Sequence, residues 1–201
     1  MSVKLAVTDH PVHELISSRF SPYAFSDRAI GREDLLSIFE AARWAASSYN
    51  EQPWSYIVAT KSDAAEYERL LSCLVEANQN WAKAAPVLAL GIARTLFTRN
   101  DKPNAAAYHD LGASSAHLTL EATARGLSVH QMIGIDPDRA RELYGIPDHS
   151  EALTAIAIGY PAKASQAPEP YRQRDEAPRD RKPLQEFVFM GRYGGSANPF
   201  A

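Results

Sequence analysis

Residues 45–58, AASSYNEQPWSYIV, join two apolar elements through a dense run of small hydrogen-bonding side chains. An alanine-rich stretch ends in two serines, and a Pro-Trp pair then leads into a segment typical of a buried strand. A capped loop would explain this composition, because Ser and Asn are common turn residues. A ligand-binding loop would explain it equally well, because binding groups collect on loops held by a rigid scaffold.

The composition is that of an ordinary globular protein. The chain has 201 residues, of which 45% are hydrophobic and 22% charged, which favours a single domain over residues 1–201. A net charge of −3 gives no electrostatic footprint for nucleic acid or an anionic membrane, so neither partner is expected. Cys73 is the only cysteine, which excludes an intramolecular disulfide and argues against a structural zinc site. With no signal-peptide pattern and no run of roughly 18 apolar residues, a cytoplasmic location is expected.

Hydrophobic patterning predicts alternating helices and strands. Residues 32–46 place apolar side chains at helical spacing, and residues 85–93 form a continuous apolar run, typical of a strand buried on both faces. The alanine-rich segment 104–127 predicts a long central helix that ends at Gly126. The other predicted elements are helices at 11–18, after Ser62-Asp63 and from Asp136-Pro137 to Gly145, and strands at 55–60, 128–134 and 153–160.

From residue 161 the sequence becomes polar, with several prolines and charges of both signs. This segment is too polar to form a core, yet it ends in FVFMGRYG (187–194), which has a strand-like composition. A polar segment with a docking element at its tip is expected to lie across another surface, often that of a second subunit. We therefore predict an extended C-terminal arm over residues 161–201.

Motifs for several enzyme classes are absent from the sequence. It contains no GxxxxGK[ST] phosphate loop, no GxGxxG after a strand, no GxSxG elbow and no HExxH motif. The six histidines lack metal-ligand spacing. These absences disfavour a metalloenzyme, a kinase or a serine hydrolase. His109 and Asp110 are neighbours on a helix, where adjacent side chains point in different directions, so we expect a structural hydrogen bond from Asp110 and no catalytic dyad.

Three separated stretches form a pattern when taken together. They are RFSPYAF at 19–25, SSYNEQPW at 47–54 and RDRKPL at 179–184. Individually, they could be a charged surface run, a capped loop and a basic tail. In this order, they resemble the nitroreductase-like flavoprotein family, and the resemblance extends from Arg19 to Gly194. Further matching segments are GIDPDRARELYGIP (134–147), AIAIGYPA (155–162) and FVFMGR (187–192).

The resemblance implies an α+β nitroreductase-like fold, with a central mixed β-sheet flanked by helices and a C-terminal arm exchanged across a homodimer. It implies FMN as cofactor and NADH or NADPH as reductant. Hydride would pass by a ping-pong mechanism to a nitroaromatic, a quinone or a related small oxidised substrate, with flavin N5 and no side chain as the reacting centre. Enones, aldehydes, halogenated aromatics and free flavin stay open as oxidants. The alternatives are a protein that stores or senses FMN without turnover and a non-catalytic interaction protein.

The same resemblance assigns cofactor-binding positions. Arginine suits the FMN phosphate because its planar fork engages phosphate bidentately. The ribityl hydroxyls need small donors and acceptors, and the pyrimidine edge of the flavin suits amides. The loop at 47–52 would then be polar because it wraps a polar cofactor across a dimer interface. The assigned residues are Arg19, Arg179 and Arg181 for the phosphate, Ser21, Ser47 and Ser48 for the ribityl chain, Asn50, Gln52 and Asn78 for the flavin edge, and Phe20, Tyr23, Ile133 and Gly134 around the cofactor.

Two of these positions depart from the family pattern. Tyr23 stands where many relatives have Lys or Arg beside the flavin N1/C2 carbonyl, and Ile133 stands where an acid is common. The N–H of Gly134 could still donate to flavin N5. Because charge near N1 tunes flavin electronics, a neutral phenol would stabilise the anionic reduced flavin less. We therefore predict a lower reduction potential than in relatives that have a cation there.

Overall fold

Four antiparallel strands form the centre of the structure, a computed structural model that describes residues 4–195. The strands are β1 (Trp54–Thr60), β2 (Val87–Arg94), β3 (Ser128–Met132) and β4 (Ser150–Gly159). They pair in the order β1-β2-β4-β3. The prediction of a mixed sheet is wrong for the described residues. Strands β2 and β3 do run parallel, as expected when a helix joins two strands, but β4 lies between them and pairs antiparallel with each.

Helices cover both faces of the sheet. The helices are α1 (Glu14–Ser18), α2 (Arg32–Arg43), α3 (Ala64–Leu71), α4 (Glu76–Ala82), α5 (Ala107–Ala124), α6 (Pro137–Tyr144) and α7 (Tyr171–Glu176). On one face, α2 and α5 pack over Val87 and Ala89 of β2. On the other face, α3 and α4 pack over Leu88 and Leu90. The prediction that this strand is buried on both faces is confirmed.

Local sequence signals account for the ends of the predicted helices. The Asp136 carboxylate accepts a hydrogen bond from the Arg139 N–H at 3.0 Å, which satisfies a free donor in the first turn of α6. Gly145 ends α6 with φ +60°, and Gly126 follows α5 with φ +71°. Glycine adopts this left-handed conformation without steric cost, so both residues stop their helices where the sequence predicts.

The first part of the arm packs on its own chain, through contacts of Tyr171, Arg174, Asp175 and Arg179. Most of it is exposed, but Ala167 and Asp175 are buried, and Asp175 lies in α7. The segment FVFMGRYG forms no strand in this described part, so the strand-like composition at 187–194 is not realised there. Residues 1–3 and 196–201 of the predicted domain and arm lie outside the described range. Among residues 4–195, no helix has both the length and the apolar surface to cross a bilayer.

Candidate functional site

Three arginines from opposite ends of the chain come together near α1. Arg19 is half-buried directly after this helix, and its Nη1 donates to Ser21 Oγ at 2.9 Å. Arg179 reaches the same region from the arm and donates to the Ser17 carbonyl at 2.7 Å. Burial lowers the pKa of Arg19, and the positive charges of Arg179 and Arg181 lower it further. The structure therefore unites these three predicted phosphate-binding residues.

This arginine group (Arg19, Arg179 and Arg181) suits an anionic ligand. Among residues 4–195, no carboxylate forms a salt bridge with any of the three guanidinium groups. Like charges held close together repel, and an anion bound between them relieves the repulsion. Each guanidinium group has several N–H donors, so those not bound to backbone carbonyls can donate to the oxygens of a phosphate. The donor set thus fits the phosphate of FMN.

Phe20 lies beside the arginine group at the wall of a cleft. The Lys4 ammonium lies 4.7 Å from the centre of the Phe20 ring, a cation–π distance. Both residues line a cleft of about 760 Å³ between the first segment of the chain and the arm. Burial lowers the pKa of Lys4, while the nearby Asp175 opposes that change. In this chain, Phe20 therefore contacts a lysine.

Tyr23 is part of an aromatic cluster that the sequence analysis missed. Its ring meets the edge of Trp81 at a centroid distance of 5.0 Å and that of His130 at 4.6 Å. The ring of Tyr171, from the arm, lies 5.0 Å away. His130 Nδ1 donates to the Pro22 carbonyl at 2.9 Å, and burial lowers the pKa of this histidine, which keeps it neutral near pH 7. The cluster fixes the position of the Tyr23 ring.

Helix α7 is fastened to the Tyr23 segment by charged side chains. The Asp175 carboxylate, only 7% exposed, accepts hydrogen bonds from the N–H groups of Tyr23 and Ala24, each at 3.0 Å. Burial raises the pKa of Asp175, and these hydrogen bonds oppose the rise. Arg174 Nη1 donates to the Tyr23 hydroxyl at 3.3 Å. The polar composition of the arm gave no signal for these contacts, because the partners lie about 150 residues away in the sequence.

Asn78 and Gly134 meet next to this cluster. Asn78 Nδ2 donates to the Gly134 carbonyl at 2.9 Å, and Trp81 Nε1 donates to Asn78 Oδ1 at 3.3 Å. A Cβ on Gly134 would overlap the Asn78 amide, so a glycine is required for this approach. The Gly134 N–H makes no hydrogen bond to any other residue in 4–195, which leaves a donor available. The neighbouring Ile133 is 80% exposed, so this edge of the site combines apolar surface with backbone donors.

The loop at 47–52 has an unusual backbone. Ser47 Oγ accepts from the Gln52 N–H at 3.0 Å and closes the loop. The Ser48 N–H donates to Asp110 Oδ2 at 2.9 Å, which ties the loop to α5. Three non-glycine residues adopt positive φ, namely Tyr49 (+55°), Asn50 (+54°) and Gln52 (+50°). Such strain persists only where surrounding structure enforces it, and it is common at binding sites. This favours a ligand-binding loop over an ordinary capped turn.

The hydrogen bond from Ser48 confirms the structural role expected for Asp110, which is 2% exposed. The expectation that His109 and Asp110 point apart is wrong, because His109 Nδ1 lies 3.1 Å from Asp110 Oδ1. The histidine side chain is mostly exposed and folds back along the helix surface to reach the carboxylate. Since Asp110 also binds the loop, this contact supports the loop position.

One chain does not bring all of the predicted cofactor residues together. The loop at 47–52 leads into β1, which is one edge of the sheet, whereas the segment 19–23 contacts β3 through His130, at the other edge. Four strands span about 14 Å between the outer two. Within residues 4–195, no hydrogen bond joins the loop to that segment.

Comparison with known proteins identifies the family. The model of the nitroreductase family matches residues 16–160. This chain belongs to the nitroreductase family. A solved structure described as an oxidoreductase containing FMN is 36% identical, with a TM-score of 0.88, and the match covers 94% of this chain and 96% of that one.

Two further relatives of this chain differ widely in name. An Archaeoglobus fulgidus protein, provisionally named NADH dehydrogenase/NAD(P)H nitroreductase, is 29% identical over 154 residues, covering 74% of this chain and 84% of the relative. Iodotyrosine deiodinase 1 of Rattus norvegicus is 24% identical over 184 residues, covering 78% of this chain and 64% of the relative. The names of these relatives imply different substrates. Family membership therefore establishes an oxidoreductase but does not identify its substrate.

Proposed function

We propose that this protein is an FMN-dependent oxidoreductase that uses NADH or NADPH to reduce a small oxidised molecule, such as a nitroaromatic or a quinone. The observation that supports this best is the arginine group, in which three positive charges lie close enough to repel one another and none has a carboxylate partner among residues 4–195. FMN has a terminal phosphate that this donor set can bind. The FMN-containing relative that covers almost the whole chain supports the same cofactor.

The residues of the chain would act by binding and orientation. The arginine group would bind the phosphate, while the Asn78 amide and the free Gly134 N–H would donate to the flavin edge. Exposed apolar surface at Ile133 and Val75 would border the niche for a flat substrate. When bound, FMN would supply the centre that accepts and donates hydride. The nicotinamide and the oxidised substrate would use the same niche in turn, which gives ping-pong kinetics.

We further propose a homodimer in which each cofactor site combines two chains. This proposal is supported by the positions of the two residue groups at opposite edges of one sheet. A second subunit could place its 47–52 loop, with Ser47, Ser48, Asn50 and Gln52, against the arginine group of the first. The part of the arm after Arg179, which is mostly exposed as far as residue 195, could continue onto that subunit. Analytical ultracentrifugation tests this, because a monomer that binds FMN fully would contradict a shared site.

A visible absorption spectrum, recorded with added FMN if needed and then after anaerobic NADH or NADPH, tests the proposed activity. Flavin bands that bleach with the reductant, and recover when a quinone or nitroaromatic is added, would support it. Bound flavin that stays oxidised would favour storage or sensing of FMN. If the protein binds no FMN, the role assigned to the arginine group is wrong and so is the proposed function.

A further inference from the structure

An arginine of the arm contacts Tyr23, the residue that stands where many relatives have a cation. Arg174 Nη1 donates to the Tyr23 hydroxyl at 3.3 Å, and its guanidinium carbon lies 5.8 Å from the centre of the Tyr23 ring. The same guanidinium lies 5.5 Å from the ring of Tyr171. Within residues 4–195, Arg174 forms no salt bridge with a carboxylate. The Arg174 guanidinium is therefore not directly paired with an acid, although the Asp175 carboxylate binds the backbone of the Tyr23 segment on the same helix.

We infer that Arg174 supplies, from the C-terminal arm, the positive charge that position 23 lacks, and that it thereby raises the reduction potential of bound FMN. The inference rests on the proposed function, since it requires that FMN binds with one edge near Tyr23. Arg174 is a positioning residue in this arrangement, because it contacts Tyr23. The low potential expected from a neutral phenol alone would then not apply to this protein.

The arm holds Arg174 in register with Tyr23. Asp175, the next residue, accepts hydrogen bonds from two backbone N–H groups of the Tyr23 segment and is buried. Tyr171, one turn earlier, packs against the Tyr23 ring and donates its hydroxyl hydrogen to the Ala77 carbonyl. These contacts on either side of Arg174 fix α7, so the exposed guanidinium stays beside the rings of Tyr23 and Tyr171 without an ion pair.

The hydrogen bond also orients the phenol. Because the Tyr23 oxygen accepts from Arg174, its own hydrogen is free to point away from the arm toward another acceptor. A hydroxyl that accepts from a cation becomes a stronger donor, since linked hydrogen bonds polarise one another. A strengthened donor and a nearby positive charge both favour the more negative form of a bound ligand. Reduced flavin is more negative than oxidised flavin, so both effects raise the potential.

The test compares the midpoint potential of bound FMN in Arg174→Gln with that in a matched control from the same helix. Arg172→Gln is the control, because Arg172 is bonded to Glu169 and Glu176 and does not touch Tyr23. A spectroelectrochemical titration measures the potential, and fluorescence titration measures FMN affinity. We expect Arg174→Gln to lower the potential and to weaken the preference for reduced over oxidised FMN roughly tenfold. Arg174→Lys, which keeps the charge, should retain most of the wild-type potential.

The outcomes separate this inference from the proposed function. If Arg174→Gln binds FMN with an unchanged potential, the inference is wrong while the proposed function stands. An equal fall in Arg172→Gln would also overturn it, because the effect would then belong to the overall charge of the arm. If the wild-type protein binds no FMN, the proposed function fails and the inference fails with it. A fall confined to Arg174→Gln, with Arg174→Lys near wild type, supports the inference.

Discussion

Removing the charge of Arg19 should affect the free and FMN-bound proteins in different ways. In the free protein, the Arg19 side chain makes one hydrogen bond within residues 4–195, to Ser21, and the loss of such a bond costs about 1 kcal/mol. The same change relieves repulsion from Arg179 and Arg181, which offsets part of that cost. We therefore expect Arg19→Gln to change the free energy of unfolding of the FMN-free protein by less than about 1 kcal/mol.

FMN binding should suffer much more, because a charge-assisted hydrogen bond to phosphate contributes about 1.5–3 kcal/mol. Arg19→Gln should accordingly weaken FMN binding by roughly 10- to 150-fold. Urea denaturation without FMN and fluorescence titration with FMN measure the two effects. The control is Arg32→Gln, which removes an exposed arginine paired with Glu33. A variant that unfolds more easily yet binds FMN normally would refute the phosphate-binding role and show that Arg19 serves the fold.

Two further changes test the surroundings of the site. Gly134→Ala should force the Asn78 amide away and break its hydrogen bond, which would lower the thermal midpoint and weaken FMN binding. The control Gly112→Ala places a methyl group in open space on α5 and should stabilise the protein by about 1 kcal/mol. Equal melting points for the two variants would argue against a tight approach at Gly134. Because burial raises the pKa of Asp175, the folded state binds this proton more tightly than the unfolded chain does. The stabilising contribution of protonated Asp175 is therefore present at low pH and is lost as pH rises through the folded-state pKa. The urea midpoint of the wild type, measured relative to that of Asp175→Asn, should fall as pH increases from about 4. A relative midpoint that rises with pH would contradict the burial of this carboxylate.

Local chemistry explains why much of the fold could be predicted from sequence. Asp136 caps the start of α6 by accepting a hydrogen bond from the N–H three residues later, and Gly145 ends the same helix through its own backbone conformation. The burial of β2 follows from an unbroken apolar run. The sheet type could not be predicted in this way, because the insertion of β4 between β2 and β3 depends on the order of strand pairing, which no local pattern encodes.

The residues of the candidate site show the same difference between what local sequence predicts and what depends on long-range contacts. Arg19, Arg179 and Arg181 were predicted from motif positions, and the structure brings them together. Asp175 and Arg174 were missed, because their partners at Tyr23 lie about 150 residues earlier and a charged arm usually forms a solvated surface. Only the folded chain shows that the Asp175 carboxylate is buried and that the Arg174 guanidinium lies beside the Tyr23 ring.

The position of the two residue groups at opposite sheet edges has a genetic consequence for the proposed dimer. A variant that lacks Arg19 and a variant with an altered 47–52 loop would each have low activity alone at limiting FMN, because both sites of each dimer would be defective. In a mixed dimer, one site would combine the intact arginine group of one chain with the intact loop of the other. Co-expression of the two variants would therefore restore part of the activity by complementation, and two variants within the same group would not.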